Sequence, residues 1–275
     1  MNNRLFVAYK PSNISSNFFL SRIKRAYGVK GAGFSGTLDP FAKGVLIIAF
    51  GQFTKLFRFL KKAPKRYRAT LWLGAYSPTL DIEKVERVTQ MMPFAPISVE
   101  IATKSFIGEL TYLPPKYCAK KIDGKRAYDM ARKEEDFELE AIKSTIYDCK
   151  VIHYNHPFLT FEISISEGGY VRSVGALIAQ KLGFEGSLSA LERLNEGDFV
   201  YENERELDPL DYLDLPNNRY LGNIEDMRLG RVLDVKNFEI QEEENYKIVH
   251  EGWLSVIEIK ENGVEYLLNN IQLRS

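Results

Sequence analysis

The stretch GFSGTLDPFAKG, residues 33–44, runs directly into the apolar segment VLIIAF, residues 45–50, and the rest of the chain is organised around this pair. Glycine tolerates backbone angles that other residues adopt only at a cost, and proline fixes its own, so residues 33–44 are predicted to form a tight irregular loop. Residues 45–50 are apolar at every position, which is typical of a central strand buried on both faces. Asp39 is thus a carboxylate on a constrained loop beside a rigid strand, an arrangement suited to aiming a functional group.

A purely structural interpretation of the loop stays open, because Asp-Pro opens turns and Thr37 or Asp39 can cap a helical turn. The distribution of charge favours a functional role. Residues 1–70 contain fourteen Lys and Arg residues and one acidic residue, Asp39, so this segment carries a net charge of +13 in a chain that is neutral as a whole. The other 205 residues therefore carry −13. A surface this basic suits a polyanion such as RNA, and a single carboxylate within it indicates a specific task.

The composition is that of a globular protein with room for one large domain and a small one in 275 residues. No run of about 18 apolar residues is present, so no membrane association is expected. Two distant cysteines, Cys118 and Cys149, and an N-terminus that reads as a strand indicate a reduced cytoplasmic protein. The three His residues have no Cys or carboxylate at ligand spacing, and no phosphate-binding glycine loop occurs, so neither a metal nor a cofactor is expected. If the chain is an enzyme, a carboxylate carries out the chemistry.

The periodicity of apolar residues predicts the main elements of the first 216 residues. Strands are predicted at 5–9, 45–50, 65–73 and 158–166, and helices at 16–27, 54–60, 97–105, 125–133 and 170–182. Acidic residues and prolines accumulate between 202 and 216, which places a domain boundary near Asn217. Residues 217–275 contain short strands predicted at 229–235, 238–240, 254–259 and 266–269, a pattern that fits a small β-barrel-like domain.

Two side chains stand out beyond the loop. Tyr67 lies on a predicted strand, with Arg66 and Arg68 beside it on the other face. An aromatic flanked by arginines can stack on a base while the arginines hold phosphates, although by itself the pattern favours an ordinary strand tyrosine with solvated neighbours. Arg172 lies in the first turn of a predicted helix, where its charge opposes the helix dipole. A carboxylate or phosphate partner explains that position, and Asp39 is the candidate.

Several ordered motifs together resemble the bacterial TruB-type tRNA pseudouridine synthases, which modify uridine 55 in the T loop. The resemblance rests on motifs spread over most of the chain: Lys10-Pro11, residues 33–44 with the core Gly36-Thr37-Leu38-Asp39-Pro40, residues 65–68, the segment from Tyr117 through Gly124 and Tyr128 to Arg132, residues 169–173, and Leu191–Leu194. It implies an α+β catalytic domain over residues 1–216, with a mixed, mostly antiparallel central sheet flanked by helices. Residues 217–275 resemble the family's small PUA-like RNA-binding β domain.

The resemblance also implies roles for individual residues. Asp39 is the nucleophile that attacks the flipped-out uridine at the ribose C1′ or the base C6, Tyr67 stacks on the base, and Arg172 pairs with Asp39 and holds it ionised. The expected substrate-binding residues are Lys10, Phe34, Lys65, Arg66, Tyr170 and Leu191. The implied enzyme is an isomerase that needs neither metal nor cofactor, binds the T arm of tRNA and acts as a monomer.

The chain departs from the family pattern at three places, all of which concern RNA contacts. Phe34 stands where the family usually has His, Ser77-Pro78-Thr79 replaces a Thr-Asp-Thr segment and so loses an acid, and Glu192 replaces an Arg. Two other functions remain open. One is a non-catalytic RNA-binding or RNA-chaperone protein that uses the same basic face, and the other is a synthase that acts on another RNA or with a guide.

Overall fold

The computed structural model describes residues 3–118, 120–122, 124–133 and 135–273, so Ala119 and Asp123 of the predicted motif around Gly124 lie outside the described residues. Its strands are β1 (Arg4–Lys10), β2 (Ala32–Ser35), β3 (Lys43–Phe50), β4 (Lys65–Leu73), β5 (Ala75–Tyr76), β6 (Arg87–Val88), β7 (Gly108–Tyr112), β8 (Lys121–Ile122), β9 (Lys125–Arg126), β10 (Ile142–Asn155), β11 (Phe158–Ile165), β12 (Gly186–Glu196), β13 (Asn245–His250), β14 (Trp253–Lys260) and β15 (Gly263–Gln272). Its α-helices are α1 (Ser16–Ala26), α2 (Pro96–Lys104), α3 (Ala127–Arg132), α4 (Val171–Lys181) and α5 (Ile224–Arg228).

A mixed eight-stranded sheet forms the centre of the molecule, in the order β1-β3-β12-β4-β11-β10-β7, with β2 also paired to β3. Its pairs are antiparallel except for β3 and β12, which are parallel and meet over only two residue pairs. The α+β class and the mostly antiparallel sheet predicted from the sequence are therefore confirmed. The parallel pairing of β3 with β12 joins Lys43 and Gly44, at the end of the loop that carries Asp39, to Glu192 and Arg193.

One face of this sheet is buried under α2 and α4. Along β4, Tyr67, Ala69, Leu71 and Leu73 are buried, and the residues between them are more exposed. The inward residues of β11 and the apolar side of α4 join them in one core cluster. The period-two alternation predicted for both strands is thus confirmed, and it decides which face of the sheet meets α4 and the site.

The helix after β1 begins and ends where the sequence predicts. The Ser15 side chain accepts a hydrogen bond from the Phe18 backbone N–H at 3.1 Å, and Gly28 follows the helix with a φ of +62°. The short helix predicted at 54–60 is present, but it is a 3-10 helix and begins earlier, running from Gly51 to Phe59. Phe53 and Leu56 are both buried, and their spacing of three residues matches the three residues per turn of a 3-10 helix.

The C-terminal region contains an antiparallel sheet in the order β13-β14-β15. The strands predicted at 229–235 and 238–240 are wrong, since Leu229 and Val232 are exposed in a loop after α5 and β13 was not predicted. Leu254, Val256 and Ile271 of this sheet share a core cluster with residues of β1 and β3. The boundary near Asn217 remains a prediction, and an apolar core crosses it. Among the described residues, no helix has the length and apolar character needed to cross a membrane.

Candidate active site

The Asp39 loop is held from three sides by buried polar side chains. On the side of α1, the Ser16 hydroxyl accepts a hydrogen bond from the Leu38 N–H at 3.0 Å and donates one to the Leu38 carbonyl at 2.9 Å. The buried Lys10 ammonium donates to the carbonyls of Ile14 at 2.7 Å and Pro40 at 3.4 Å. These contacts fix the backbone on both sides of Asp39, so the carboxylate is aimed by its loop rather than by its own rotamer alone.

The third side is provided by Arg193 of β12. Its Nη2 donates to the Gly36 carbonyl at 2.9 Å and its Nε donates to the Val45 carbonyl at 2.8 Å, so one side chain ties the beginning of the loop to its end. Gly44 lies against the same residue with a φ of +118°, and a Cβ there would come within 2.2 Å of the Arg193 carbonyl oxygen. Only glycine allows this approach. Sequence reasoning did not single out Arg193 or the loop contact of Ser16.

Arg172 pairs with Asp39, as the sequence predicts. Its Nε lies 2.9 Å from Asp39 Oδ2, and its Nη1 lies 3.1 Å from Asp81 Oδ2. The remaining donors reach the backbone, with Nη1 donating to the Thr79 carbonyl at 2.7 Å and Nη2 to the Tyr117 carbonyl at 2.9 Å. The guanidinium therefore has three partners besides Asp39, namely Asp81 and the carbonyls of Thr79 and Tyr117, and they hold its Nε directed at Asp39.

Asp81 is the residue at the site that sequence reasoning missed. The sequence suggested that the segment 77–79 lacks an acid, but Asp81 follows two residues later and brings a buried carboxylate to Arg172. Thr79 donates a hydrogen bond to Asp81 Oδ1 at 2.6 Å, and the Glu83 N–H donates to the same oxygen at 3.0 Å. A signal was available in the sequence. The acid absent from 77–79 has a substitute two residues later, at Asp81, and this carboxylate is the second partner of Arg172.

The electrostatic balance at Asp39 is set by burial and by this second carboxylate. Loss of hydration raises the pKa of the Asp39 carboxyl, and Arg172 opposes that shift. Asp81 raises the pKa further, whereas Lys10 and Arg193 lower it. The net result is a pKa above the ordinary carboxyl value, so Arg172 only partly offsets the effects of burial and Asp81, and its role in holding Asp39 ionised remains a prediction. Burial also lowers the pKa of Lys10 to about 8.

Asp39 opens into a cavity of about 380 Å³, which we call the Tyr67 cavity. Its walls are Gly36, Thr37, Leu38, Asp39, Lys65, Tyr67, Lys120, residues 167–172, Leu191 and Arg193. This volume lies within the range of roughly 300–1,000 Å³ that small-molecule sites occupy. Tyr67 and Leu191 are apolar parts of its wall, and Asp39 belongs to the same wall. Such a cavity suits a flat ring with a polar group that meets a carboxylate.

A second cavity of about 450 Å³ meets the same ion pair from another side, and we call it the Tyr128 cavity. Asp39 and Arg172 line both cavities. The other walls of the Tyr128 cavity include the start of α1, Phe34, Asp81, Glu83, Lys84, Tyr117 and Tyr128. Lys84 lies over the Tyr117 ring at 5.0 Å and Arg132 over the Tyr128 ring at 5.6 Å. The Asp39 carboxylate thus borders two cavities, of about 380 and 450 Å³.

The structure brings most of the sequence-predicted site residues together. Lys65, Tyr67, Tyr170, Arg172 and Leu191 line the Tyr67 cavity with Asp39, and Phe34 lines the Tyr128 cavity. Lys10 lies behind the loop and is fully buried, so its observed contacts hold the loop. Their binding roles remain predictions.

Arg66 is not brought to the site. It alternates with Tyr67 along β4 and therefore points to the opposite face of the sheet, where it and Arg68 pair with the buried Glu162. A base stacked on Tyr67 and a phosphate held by Arg66 are incompatible with this alternation, because neighbouring strand residues face opposite sides. The placement of Tyr67 and its flanking arginines on opposite faces, which the alternation predicts, is confirmed, and it does not support a base on Tyr67 whose phosphates these arginines hold.

Much of the positive charge of residues 1–70 is neutralised in the folded protein. Six of the fourteen cations pair with acids that lie beyond residue 70, namely Arg4, Lys43, Lys62, Lys65, Arg66 and Arg68. Lys65, for example, lies 3.2 Å from the fully buried Glu196 and 3.8 Å from Glu167. The positive charge of residues 1–70 is thus partly neutralised in the fold by acidic residues from later in the chain. Among the described residues, no group of three or more His, Cys, Asp or Glu side chains is arranged to hold a metal ion.

Comparison with known proteins shows the family to which the chain belongs. The TruB family pseudouridylate synthase N-terminal domain matches residues 24–171, which include Asp39, Tyr67 and Asp81. Three curated proteins called tRNA pseudouridine synthase B are similar over 98% of this chain. The protein from Sulfurimonas denitrificans is 54% identical and 99% of its length is covered, that from Nitratiruptor sp. is 52% identical with 98% covered, and that from Campylobacter curvus is 50% identical with 99% covered.

Solved structures share the fold at low sequence identity. A chain in the crystal structure of a Cbf5-Nop10-Gar1 complex superposes with a TM-score of 0.67 at 19% identity, covering 99% of this chain and 87% of that one. A chain from an H/ACA RNP bound to a substrate RNA containing 2'-deoxyuridine gives 0.66 at 18% identity, covering 98% and 84%. With the family match and the half-identical relatives, these observations show that the chain belongs to the TruB family of pseudouridylate synthases.

Proposed function

We propose that this protein isomerises a uridine in the T loop of tRNA, at position 55, to pseudouridine. The N1–C1′ glycosidic bond of the uridine breaks, a C5–C1′ bond forms, C5 loses its proton and N1 gains one. Atoms and electrons balance without a redox partner or cofactor. Support comes from the family membership, from relatives named tRNA pseudouridine synthase B, and from the geometry at Asp39.

The observation that carries the proposal is the position of Asp39 in the wall of the Tyr67 cavity, with Arg172 Nε 2.9 Å from its Oδ2. Asp39 acts as the nucleophile on C1′ or C6 of the uridine, and both attack sites remain compatible with this placement. Arg172 keeps the carboxylate oriented, and it favours the anion against the burial that raises the pKa of Asp39.

The walls of the Tyr67 cavity supply the remaining roles. Tyr67 stacks on the uracil ring, and Leu191 packs against the same nucleotide. Lys65, Tyr170 and Phe34 are proposed RNA contacts at the rims of the two cavities. Extrusion of a base from its stack costs a few kcal/mol, which contacts to the RNA backbone offset.

The decisive test is release of tritium from C5 of uridine in an unmodified tRNA transcript. Wild type is expected to release one tritium per tRNA, and Asp39→Asn is expected to release none while retaining its fold by circular dichroism. Asp148→Asn is the matched control, because it makes the same chemical change at an exposed position of β10. Tritium release by Asp39→Asn at the wild-type rate contradicts the role of Asp39. Absence of release by wild type that still binds tRNA favours the chaperone function instead.

We further propose that residues 217–275 form a PUA-like RNA-binding unit, that the protein acts as a monomer and that it works in the cytoplasm. The antiparallel sheet β13-β14-β15 supports the first point. Deletion of these residues is a poor test, because Leu254, Val256 and Ile271 fill a core shared with β1 and β3. Surface substitutions in the unit, with tRNA binding measured by filter retention and mass by light scattering, keep the core intact. A dimeric mass contradicts the monomer.

A further inference from the structure

The basic residues of α1 differ from many of the other cations of the first 70 residues. Six cations elsewhere in that segment pair with later acids, but in the part of the chain that the structure describes no carboxylate pairs with Arg22, Lys24 or Arg25. The helix also has no acidic residue in its first turn. Positive charge that remains uncompensated after folding is the charge available to an anionic partner.

An exposed aromatic ring lies on the same face of this helix. Phe18 is 51% exposed, and the Arg22 guanidinium stacks over its ring at 4.8 Å from the centroid. Arg25 follows three residues after Arg22 and seven after Phe18, so the three side chains lie along one face about 10 Å long. Arg22 and Arg25 are partly or fully open to solvent. We call this set, Phe18, Arg22 and Arg25, the α1 surface.

The α1 surface begins at the mouth of the active site. Ser15, Ser16 and Asn17, which directly precede Phe18, line the Tyr128 cavity together with Asp39. Ser16 also holds the backbone of Leu38 next to the reactive carboxylate. A strand of RNA whose nucleotide enters the site through this cavity therefore leaves it beside Phe18.

We propose that the α1 surface binds the RNA strand that flanks the reacting uridine, with Phe18 stacking on a base and Arg22 and Arg25 contacting phosphates. This inference rests on the proposed function for the identity of the RNA. An exposed ring beside unpaired arginines is the combination that binds single-stranded nucleic acid. An arginine stacked on a ring keeps its N–H groups free at the edge for phosphate oxygens. Phe18 and Arg22 precede the family match, which begins at residue 24.

The competing explanation is local, since a Phe and an Arg four residues apart can simply stabilise the helix. The test therefore measures the dissociation constant of unmodified tRNA transcript by filter retention, in the wild-type background and in the Asp39→Asn background. Phe18→Ala is expected to raise this constant about 5- to 100-fold, and Phe18→Trp is expected to restore it. Arg22→Ala with Arg25→Ala is expected to reduce the slope of log binding constant against log salt by about 0.7 for each phosphate that the protein no longer neutralises.

Arg87→Ala is the matched control, because Arg87 is also exposed and stacks at 4.8 Å on Tyr76, and it lines neither the Tyr67 cavity nor the Tyr128 cavity. It is expected to leave the dissociation constant and the salt slope unchanged. Thermal midpoints of all variants should stay close to wild type, which excludes loss of the helix as the cause.

The outcomes separate this inference from the proposed function. If the Phe18 and arginine variants keep the wild-type dissociation constant and salt slope, the proposal that the α1 surface binds RNA is overturned, whether or not tritium is released. Reduced binding together with no tritium release by wild type supports the surface and contradicts the enzymatic function. An equal loss of binding in Arg87→Ala also overturns the inference, because general loss of charge then explains the effect.

Discussion

Two buried arginines lie on either side of the Asp39 loop, and they are held in different ways. Arg172 shares its charge between Asp39 and Asp81, and Asp39 is 33% exposed toward the cavities. Arg193 pairs with Glu196 at 2.7 Å, and both side chains are almost completely buried, at 1% and 0% exposure. The Arg172 cluster therefore has one open member that can meet a substrate, whereas the Arg193–Glu196 pair is almost closed to solvent and acts on the loop through backbone contacts and charge.

The same kind of interaction, a buried arginine paired with a carboxylate, is thus expected to serve the reaction at Arg172 and the structure at Arg193. A closed buried pair contributes little net stability, yet loss of one partner leaves an uncompensated charge and is costly. An open pair keeps one group hydrated enough to react and uses the buried partner to orient it. Substitutions on the two sides are thus expected to affect different measurements.

The largest effect on activity is expected for Arg172→Met. Asp39 and Asp81 then face each other without a cation, so the pKa of Asp39 rises further and its orientation is lost. We expect kcat for tritium release to fall by about 100- to 1,000-fold. The protein should remain folded by circular dichroism, because Asp39 can take up a proton. A fall in the thermal midpoint of Arg172→Met as large as that of Arg193→Met would contradict the distinction between the two arginines.

The next largest effect is expected for Arg193→Met, and it should appear mainly in stability. Glu196 is left buried with Lys65 as its partner at 3.2 Å, which costs about 3–5 kcal/mol and lowers the thermal midpoint by roughly 10 °C. Addition of Glu196→Gln should recover part of this loss, because the uncompensated carboxylate is then gone. The thermal midpoints of the single and the double variant are measured. A double variant with a lower midpoint than Arg193→Met alone would contradict the interpretation that the unpaired Glu196 carboxylate causes the loss.

A smaller effect, on pH dependence, is expected for Asp81→Asn. Activity requires ionised Asp39, whose pKa lies above the ordinary value of 3.8, so kcat/KM falls as the pH drops through that raised pKa. Removal of the Asp81 charge removes one cause of the rise, and the acidic limb should move to lower pH. A pH profile of tritium release tests this. A limb that moves to higher pH would show that Asp81 acts mainly by orienting Arg172.

The smallest effect is expected for Arg66→Ala, on the opposite face of the sheet. Glu162 keeps Arg68 at 2.8 Å and Lys150 at 3.8 Å, so the free energy of unfolding should change by at most about 1 kcal/mol. Both kcat and KM for tRNA should stay at wild-type values. A tenfold rise in KM would show that RNA reaches this face, and the role predicted from the sequence would be restored.

The sequence predicts much of the fold because period-two alternation is a local property. The alternation of β4 and β11, the cap at Ser15 and the helix after Gly169 all follow from residues close in the chain, and the structure confirms them. The prediction at 229–235 is wrong because apolar letters alone do not show burial, and Val232 is 96% exposed. The helix after Gly51 was predicted without its 3-10 type or its start, because a three-residue period resembles an α-helical one over a short segment.

At the site, the sequence by itself determined the lone carboxylate Asp39, the glycines and proline that shape its loop, and the arginine that opposes its helix dipole. These follow from residue type and local spacing. Only the tertiary structure decided that Asp81 shares Arg172, that Arg193 and Ser16 hold the loop, that Arg66 pairs with Glu162, and that the residues just before an exposed ring and its stacked arginine on α1 line the Tyr128 cavity. Ion pairs form between groups distant in the chain, and their strength depends on burial, which local sequence does not contain.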